Sequence, residues 1–359
     1  MNQNIIIIDG SYNEGGGQMF RSALALSVLL QKQFKIINIR SNRPNPGINN
    51  QLLNQITLIT KIIKSEVEGL QLGSQEFSFR PLEKFIPQDI VCQAQTAQSI
   101  TLILQSLLPI SINTQKQISI TIHGGTYLNH CPTIQAWSTI FVPLINQMGL
   151  KCEVHVLKEG YYPQGGGLIQ AVLNPIKNTL NLLIKKEFTK INKLNCTYLL
   201  GSPCDIQIFD HQIVNDLKQY TENGQLIINS EIKNVNSKKF KKCYGISLMS
   251  HSNLNSYDYT IINDSDKSIE ETLVNVINYA KQQLEQQTCF DEHHQDQLIL
   301  LMSLAKGKSE ILVGKPSSHT ESLIYVIQKF LPECLIEFEK TNIKDNFIIS
   351  VQGVGYMFE

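Results

Sequence analysis

Glycine is unevenly spread through this chain of 359 residues, and where it clusters limits what the chain can fold into. Triplets stand at Gly15-Gly16-Gly17 and Gly165-Gly166-Gly167, with a pair at Gly124-Gly125. Each adjoins a short β-branched apolar run, at residues 5–8, 152–157 and 118–122 respectively. Runs of that length read as strands, and the glycines as turns or points of close backbone approach. Helical patterns alternate with them. Residues 18–30 are a compact apolar candidate. After the Pro44-Asn45-Pro46-Gly47 turn, Ile48, Leu52, Ile56, Ile59 and Ile63 recur at helical spacing over residues 48–64. Two further helices are expected over 96–108 and 132–148. Strand–helix units recurring through residues 1–175 predict an α/β or α+β body made of similar pieces.

The character changes between residues 184 and 285, where Lys, Asn and Ser become frequent and no glycine triplet occurs. The pattern predicts a strand (194–200), a helix (207–220), two strands (225–229 and 244–250) and a helix (269–287). A self-contained small α/β domain inserted at 184–285 is the simplest account. The large domain would then be discontinuous, made of 1–183 and 286–359. Its second part predicts a helix at 297–305, a strand at 309–313, a helix at 318–330 and strands at 335–339 and 347–352.

Composition closes off several functional classes. Thirty-one Lys+Arg against 31 Asp+Glu give a formal net charge of +0, which excludes a globally basic nucleic-acid binder but not a local basic cleft. A hydrophobic fraction of 42% without net charge does not describe a disordered chain. The first residues lack a basic n-region, and no apolar stretch is long enough to span a bilayer, so an intracellular protein without a membrane segment is expected. The 8 cysteines form no Cys-x-x-Cys pair and read as reduced thiols. Common nucleotide devices are missing. The position five before Gly307-Lys308-Ser309 is Met302, so there is no Walker A loop. No Gly-x-Gly-x-x-Gly follows a strand, Asp9-Gly10 lacks the lysine of lysine-based nucleotidyl transferases, and His-Glu-x-x-His is absent.

Four blocks can carry chemistry. The first runs from Asp9 through Glu14-Gly15-Gly16-Gly17-Gln18 to Arg21. A glycine run entering a helix presents backbone N–H groups at the positive end of the helix dipole, a ready anion site. Arg21, one turn in, can fork onto a phosphate, and Glu14 can hold a divalent cation. A plain glycine turn with surface charges is the alternative. The second block, Arg40-Ser41-Asn42-Arg43 before Pro44-Asn45-Pro46-Gly47 and Gln51, offers two arginines suited to bidentate phosphate binding, or else solvated loop charges. In the third, Gly314 to Glu321, Ser318 and Glu321 fit a capping box that makes His319 the first residue of a helix. The dipole there disfavours imidazolium and leaves His319 neutral and nucleophilic, unless it is merely a surface residue. The fourth, Phe290 to Leu298, holds His293, His294 and Asp296. They either form a metal cluster, or Asp296 and Gln297 cap the following helix and bind a ligand.

Taken in order, these blocks resemble the RNA 3′-terminal phosphate cyclase family. The matching pieces are Asp9-Gly10, Glu14-Gly15-Gly16-Gly17-Gln18, Arg21-Ser22-Ala23-Leu24, Arg40, Arg43 and Pro46-Gly47. They continue with Leu72-Gly73-Ser74, Gly124-Gly125-Thr126, the Gly160-Tyr161-Tyr162-Pro163-Gln164-Gly165-Gly166-Gly167 run, Asp296-Gln297-Leu298 and Pro316-Ser317-Ser318-His319. The resemblance implies a large domain of three βαβαββ-type units, related to the C-terminal domain of translation initiation factor three, plus the small insert. It implies that His319 attacks the α-phosphate of ATP, that AMP passes to an RNA 3′-terminal phosphate, and that the neighbouring 2′-OH closes a 2′,3′-cyclic phosphate. Glu14 would hold Mg²⁺ or Mn²⁺. Gln18, Arg21, Arg40, Arg43 and Gln51 would bind phosphates of ATP or RNA, and Gln105, Pro132, His293, Asp296 and Gln297 would form the nucleotide pocket.

The chain departs from the family in three places. Gln95-Thr96-Ala97-Gln98-Ser99 replaces a stretch of small residues, so bulky glutamines would reshape the pocket. His293 stands where relatives carry a tyrosine, and the insert lacks a Gly-Pro-Gly-type turn. A paralogous branch, the cyclase-like proteins of pre-rRNA processing and small-subunit ribosome biogenesis, keeps the fold but lacks the nucleophilic histidine. His319, followed by Thr320 and Ser322, favours the enzyme branch. A third reading is an adenylate-binding protein whose catalysis has decayed. The Lys238–Lys242 run reads as a solvated loop or a nuclear signal, which leaves nucleus and cytoplasm both open.

Overall fold

A computed structural model describes residues 5–13, 15–93, 98–176, 179–236, 239–343 and 345–358. It is a mixed α/β molecule with four four-stranded sheets. In the first sheet, β1 (Ile6–Asp9) runs parallel to β2 (Phe34–Ile37), β2 antiparallel to β4 (Phe77–Pro81), and β4 antiparallel to β3 (Ser65–Glu68). The parallel pair needs a crossover, supplied by α1 (Gly17–Leu30), while α2 (Asn50–Ile62) leads into the β3–β4 hairpin. The second sheet pairs β5 (Ile90–Gln93) parallel with β6 (Ile118–Gly124), then β8 (Gly167–Asn174) and β7 (Lys151–Lys158) antiparallel. Its crossover is α3 (Ile100–Ser111). The third sheet pairs β9 (Ile184–Lys185) parallel with β14 (Lys306–Gly314), then β16 (Asn346–Val354) and β15 (Leu335–Lys340) antiparallel. Helices α8 (Glu292–Leu304) and α9 (Ser318–Phe330) flank β14. All three sheets thus share one strand order and one sequence of parallel and antiparallel pairings.

The fourth sheet, β11 (Ile227–Asn234), β10 (Lys193–Leu200), β12 (Cys243–His251) and β13 (Ser256–Lys267), pairs in a different chain order. Helices α6 (Gln207–Leu217), extended by a 3₁₀ turn, and α7 (Ile269–Leu284) accompany it. Strand periodicity assigns its two faces. Leu194, Cys196, Tyr198 and Leu200 point into a core shared with Leu273, Val276 and Ile277 of α7. Leu199, on the opposite face, packs with Tyr244, Ile262 and Phe240 against Tyr127, which lies beyond β6. The fourth sheet is therefore seated on the rest of the molecule through a small aromatic cluster.

Several sequence-based expectations shift. The 132–148 helix is interrupted: α4 (Ile134–Ala136) passes into a five-residue π-helix, Trp137–Phe141, before α5 (Val142–Gln147). The strand expected over 225–229 lies instead at Ile227–Asn234. Helix α3 starts at Ile100 with Ser99 as its N-cap, and residues 96 and 97 of the expected helix lie outside the described residues. Helix α8 starts at Glu292, five residues before the expected 297, because Asp291 caps it by accepting from the N–H groups of His293 and His294. Neither Asp296 nor Gln297 caps that helix. The apolar run from Leu298 concealed the earlier start, since Gln295 and Asp296 are polar yet buried. Strand β13 was not anticipated. All eight cysteines are free thiols, as expected.

Candidate active site

The loop from Asp9 to Gly16 is folded tightly by its own chemistry. Asp9 accepts from the backbone and hydroxyl of Ser11, at 3.0 and 2.7 Å, which hold its carboxyl below the usual range. Gly15 has φ of +58°, and a Cβ there would lie 2.4 Å from the Gly10 carbonyl oxygen, so only glycine closes this turn. Gly16 caps α1 without a side chain, and the first-turn N–H groups therefore have no side-chain acceptor at the cap. One turn along, Arg21 is half-buried: desolvation pulls its guanidinium down to about 10, and its buried Nε has no partner among the described residues. The Arg21 Nη1 atom lies against Gly17, where an added Cβ would come within 2.9 Å.

His319 reaches the same place from the far end of the chain. It is the second residue of α9, not the first, because the capping box closes one step earlier than expected. Ser317 Oγ accepts from the Thr320 N–H at 3.1 Å, and Thr320 Oγ1 accepts from the Ser317 N–H at 3.2 Å. Glu321, the expected box partner, accepts instead from Asn13 Nδ2 at 2.9 Å. Tyr325 stacks on Tyr12 with ring centroids 4.5 Å apart, and its hydroxyl accepts from the Asp9 N–H at 3.1 Å. These contacts clamp α9 onto the glycine loop, so the two motifs meet across some 300 residues of chain.

Beside this clamp sits Asp296. Its carboxylate accepts from the Thr320 hydroxyl and, at 3.3 Å, from Ser317 Oγ. Burial raises its carboxyl to about 7, against the pull of the Thr320 bond and of His319. Gln297 is braced as well: its Oε1 accepts from Trp137 Nε1 at 2.8 Å, and its Nε2 donates to the His293 carbonyl at 3.1 Å.

Two adjoining clefts, of about 310 and 440 Å³, share Gln18, Arg21, Leu102, His130 and His319. Gln105, Pro132, His293, Asp296 and Gln297 line the first; Arg40, Arg43 and Gln51 line the second. Gln51 Nε2 is buried without an acceptor among the described residues, and burial lowers the Arg40 guanidinium, with Arg43 adding to the effect. The cleft accordingly has an arginine-rich end and an end of amides and histidine, with His319 where they join. Glu14, the expected metal ligand, lies outside the described residues. Among the described residues no three His, Cys, Asp or Glu side chains converge as metal ligands. His293, His294 and Asp296 therefore do not form the metal cluster weighed from the sequence. His294 instead pairs through Nδ1 with Asp291 at 2.6 Å, both fully buried. Burial opposes this ion pair, yet the partners outweigh it: Asp291 falls to about 2 and His294 rises.

Sequence reasoning missed one wall entirely. Asp258, Thr260 and Ile262 of β13 and Tyr279 of α7 line the first cleft together with Arg21, Asp296 and His319. Burial raises Asp258 to about 6, while the Thr260 hydroxyl bonded to it works the other way. The alternation Tyr257, Asp258, Tyr259, Thr260 was the available signal: both tyrosines join the core under α7, so Asp258 and Thr260 face the cleft.

A family model described as RNA 3′-terminal phosphate cyclase matches residues 12–335. A Dictyostelium discoideum protein named a probable RNA 3′-terminal phosphate cyclase is 31% identical over 358 residues, spanning 97% of this chain and 83% of its own. The RNA 3′-terminal phosphate cyclase of Pyrococcus furiosus is 31% identical over 327 residues, with 91% and 93% covered. That of Korarchaeum cryptofilum is 29% identical over 360 residues, with 98% of each covered. Among solved structures, the enolpyruvyl transferase NikO of Streptomyces tendae aligns with a TM-score of 0.39 at 9% identity, over 97% of this chain and 48% of that one. That likeness is too slight to argue from.

Proposed function

This chain belongs to the RNA 3′-terminal phosphate cyclase family, and from that premise we propose that it converts an RNA 3′-terminal phosphate to a 2′,3′-cyclic phosphate at the expense of ATP. The observation that carries the reading is the meeting of His319 with Arg21 and Gln18 in one cleft, at the N-termini of two helices. Arg21 Nε and Gln51 Nε2 are buried donors without acceptors among the described residues, and phosphate oxygens suit them.

In this reading a ring nitrogen of His319 attacks the α-phosphorus of ATP. A nitrogen–phosphorus bond forms as the bond to pyrophosphate breaks. The RNA 3′-phosphate then takes AMP from His319, and the adjacent 2′-OH attacks the activated phosphorus, expelling AMP. Covalent catalysis replaces one difficult condensation by transfers with good leaving groups. The protein's part is positioning and charge neutralisation, by Arg21, Arg40, Arg43, Gln18 and Gln51 around the phosphates. Gln105, Pro132, His293, Asp296 and Gln297 would take the nucleoside. A divalent ion, Mg²⁺ or Mn²⁺, would add charge neutralisation, with Glu14 as its proposed ligand.

The three sheets of common strand order support reading the body as three copies of a βαβαββ unit, made of residues 1–185 and 286–359: β9 (Ile184–Lys185) belongs to the third sheet, so the boundary lies two residues past the 183 expected from the sequence. Residues 186–285 then form an insert whose β13 and α7 supply one wall of the cleft. Among the described residues no helix is long and apolar enough to cross a membrane. The test is incubation with ATP labelled at the α-phosphate and a divalent metal. The expected result is acid-labile, alkali-stable label on the protein, lost in His319→Ala. An unlabelled wild type overturns the proposal.

A further inference from the structure

A third space, of about 500 Å³, opens off the cleft and has no part in the chemistry described above. It shares Gln51 with the arginine-rich end and His130 with both clefts, so it adjoins the two clefts that His319 lines. Its walls come from opposite sides of the molecule: Gln51 and Gln98 from the body, Lys239 and Asn263 from the segment carrying the fourth sheet. Tyr162, within the Gly160–Gly167 run, stands in it with 45% of its surface exposed.

Tyr162 is held in place from behind. Its N–H donates to the Tyr244 hydroxyl at 2.9 Å, and that hydroxyl donates to the Tyr127 carbonyl at 2.6 Å. The ring itself projects, with the Lys239 ammonium 4.7 Å from its centroid. A fixed backbone, an exposed aromatic ring and a neighbouring cation are what single-stranded nucleic acid needs: a base stacks on the ring while the cation serves the backbone. The route from this ring to His319 also carries donors. Gln98 Nε2, like Gln51 Nε2, is buried without an acceptor among the described residues. Asp264, exposed, also lines the trough.

We propose that this trough is the track of the RNA strand leading to its reactive 3′ end, with Tyr162 and Lys239 as the platform on which an upstream base stacks. The proposal rests on the cyclase reading, which puts the 3′-phosphate at His319. A strand ending there must leave the cleft, and the trough supplies a stacking surface and phosphate donors along the way.

The test compares two ligands in equilibrium binding without ATP: uridine 3′,5′-bisphosphate and a 3′-phosphorylated tetranucleotide. Tyr162→Ala is expected to weaken the tetranucleotide about tenfold and leave the mononucleotide unchanged, with Tyr162→Phe restoring affinity. Lys239→Ala should weaken the tetranucleotide and flatten its salt dependence. Equal tetranucleotide affinity in wild type and Tyr162→Ala, or equal loss on both ligands, overturns the track. The outcome is separable from that of the labelling experiment. Tyr162-dependent binding without AMP on His319 keeps the track and removes the adenylylation reading; AMP on His319 with no Tyr162 dependence removes the track alone.

Discussion

Arg21 is half-buried, and its Nε is buried without a partner among the described residues. A buried donor left unpaired costs about 1–3 kcal/mol, so this residue weakens the fold in the absence of ligand. Its presence makes sense if an acceptor arrives with the substrate. Arg21→Met, of similar length and without the charge, should raise stability by about 1–3 kcal/mol while abolishing AMP transfer to His319. Urea unfolding of the two proteins checks the first half; a lower midpoint for the variant would mean the guanidinium is satisfied internally. The sequence marked Arg21, Arg40, Arg43, Gln51 and His319 because arginines and a histidine beside glycine and proline turns stand out in one dimension. Asp258 was missed because its local signal, the alternation with Tyr257 and Tyr259, gives the face it lies on but not what that face meets. Its burial is set by distant residues, which no neighbour in sequence reports.

Between elements, the junction of α8 and α9 decides where His319 sits. Asp296 on α8 accepts hydrogen bonds from Ser317 and Thr320, the two residues that cap α9. With its carboxyl raised to about 7 by burial, the folded protein holds a proton that the unfolded chain releases near pH 4. Between about pH 4 and 7 the native state binds more protons, so this group lowers stability as pH rises, by at most about 1.4 kcal/mol per pH unit. Asp296→Asn lacks that proton. Its stability relative to wild type should therefore climb from pH 4.5 to 7 and level off above, as read by urea unfolding at each pH. A difference that stays flat with pH would show that Asp296 ionises normally. The span of helix α9, 318–330, was legible because its apolar spacing lies in adjacent sequence, but its cap was misplaced by one residue, since Ser317 and Ser318 are equally good caps in sequence and only the bond to Thr320 chooses between them. Helix α8 was not legible, since its buried polar first turns face other elements and break the amphipathic pattern.

For the molecule as a whole, the balance of 31 basic and 31 acidic residues sets how RNA can be held. Broad backbone binding requires many Lys and Arg contacts and a steep salt dependence. A protein gripping one terminus through Arg21, Arg40 and Arg43 should instead show a slope of roughly −2 in log K against log salt, from about 0.7 per phosphate contact on a single strand. Affinity should also fall sharply when the 3′-phosphate is replaced by a hydroxyl. Steep, tight binding to 3′-hydroxyl RNA would point to a scaffold role. From the sequence alone came the α/β character, the resemblance to the family and the choice of candidate residues, because periodicity, turn glycines and motifs act over a few neighbours. Only the tertiary structure set the Asp258 wall, the Asp291–His294 pair and the trough past Tyr162. Each depends on which distant surfaces lie opposite one another, and that is settled by how sheets and helices pack.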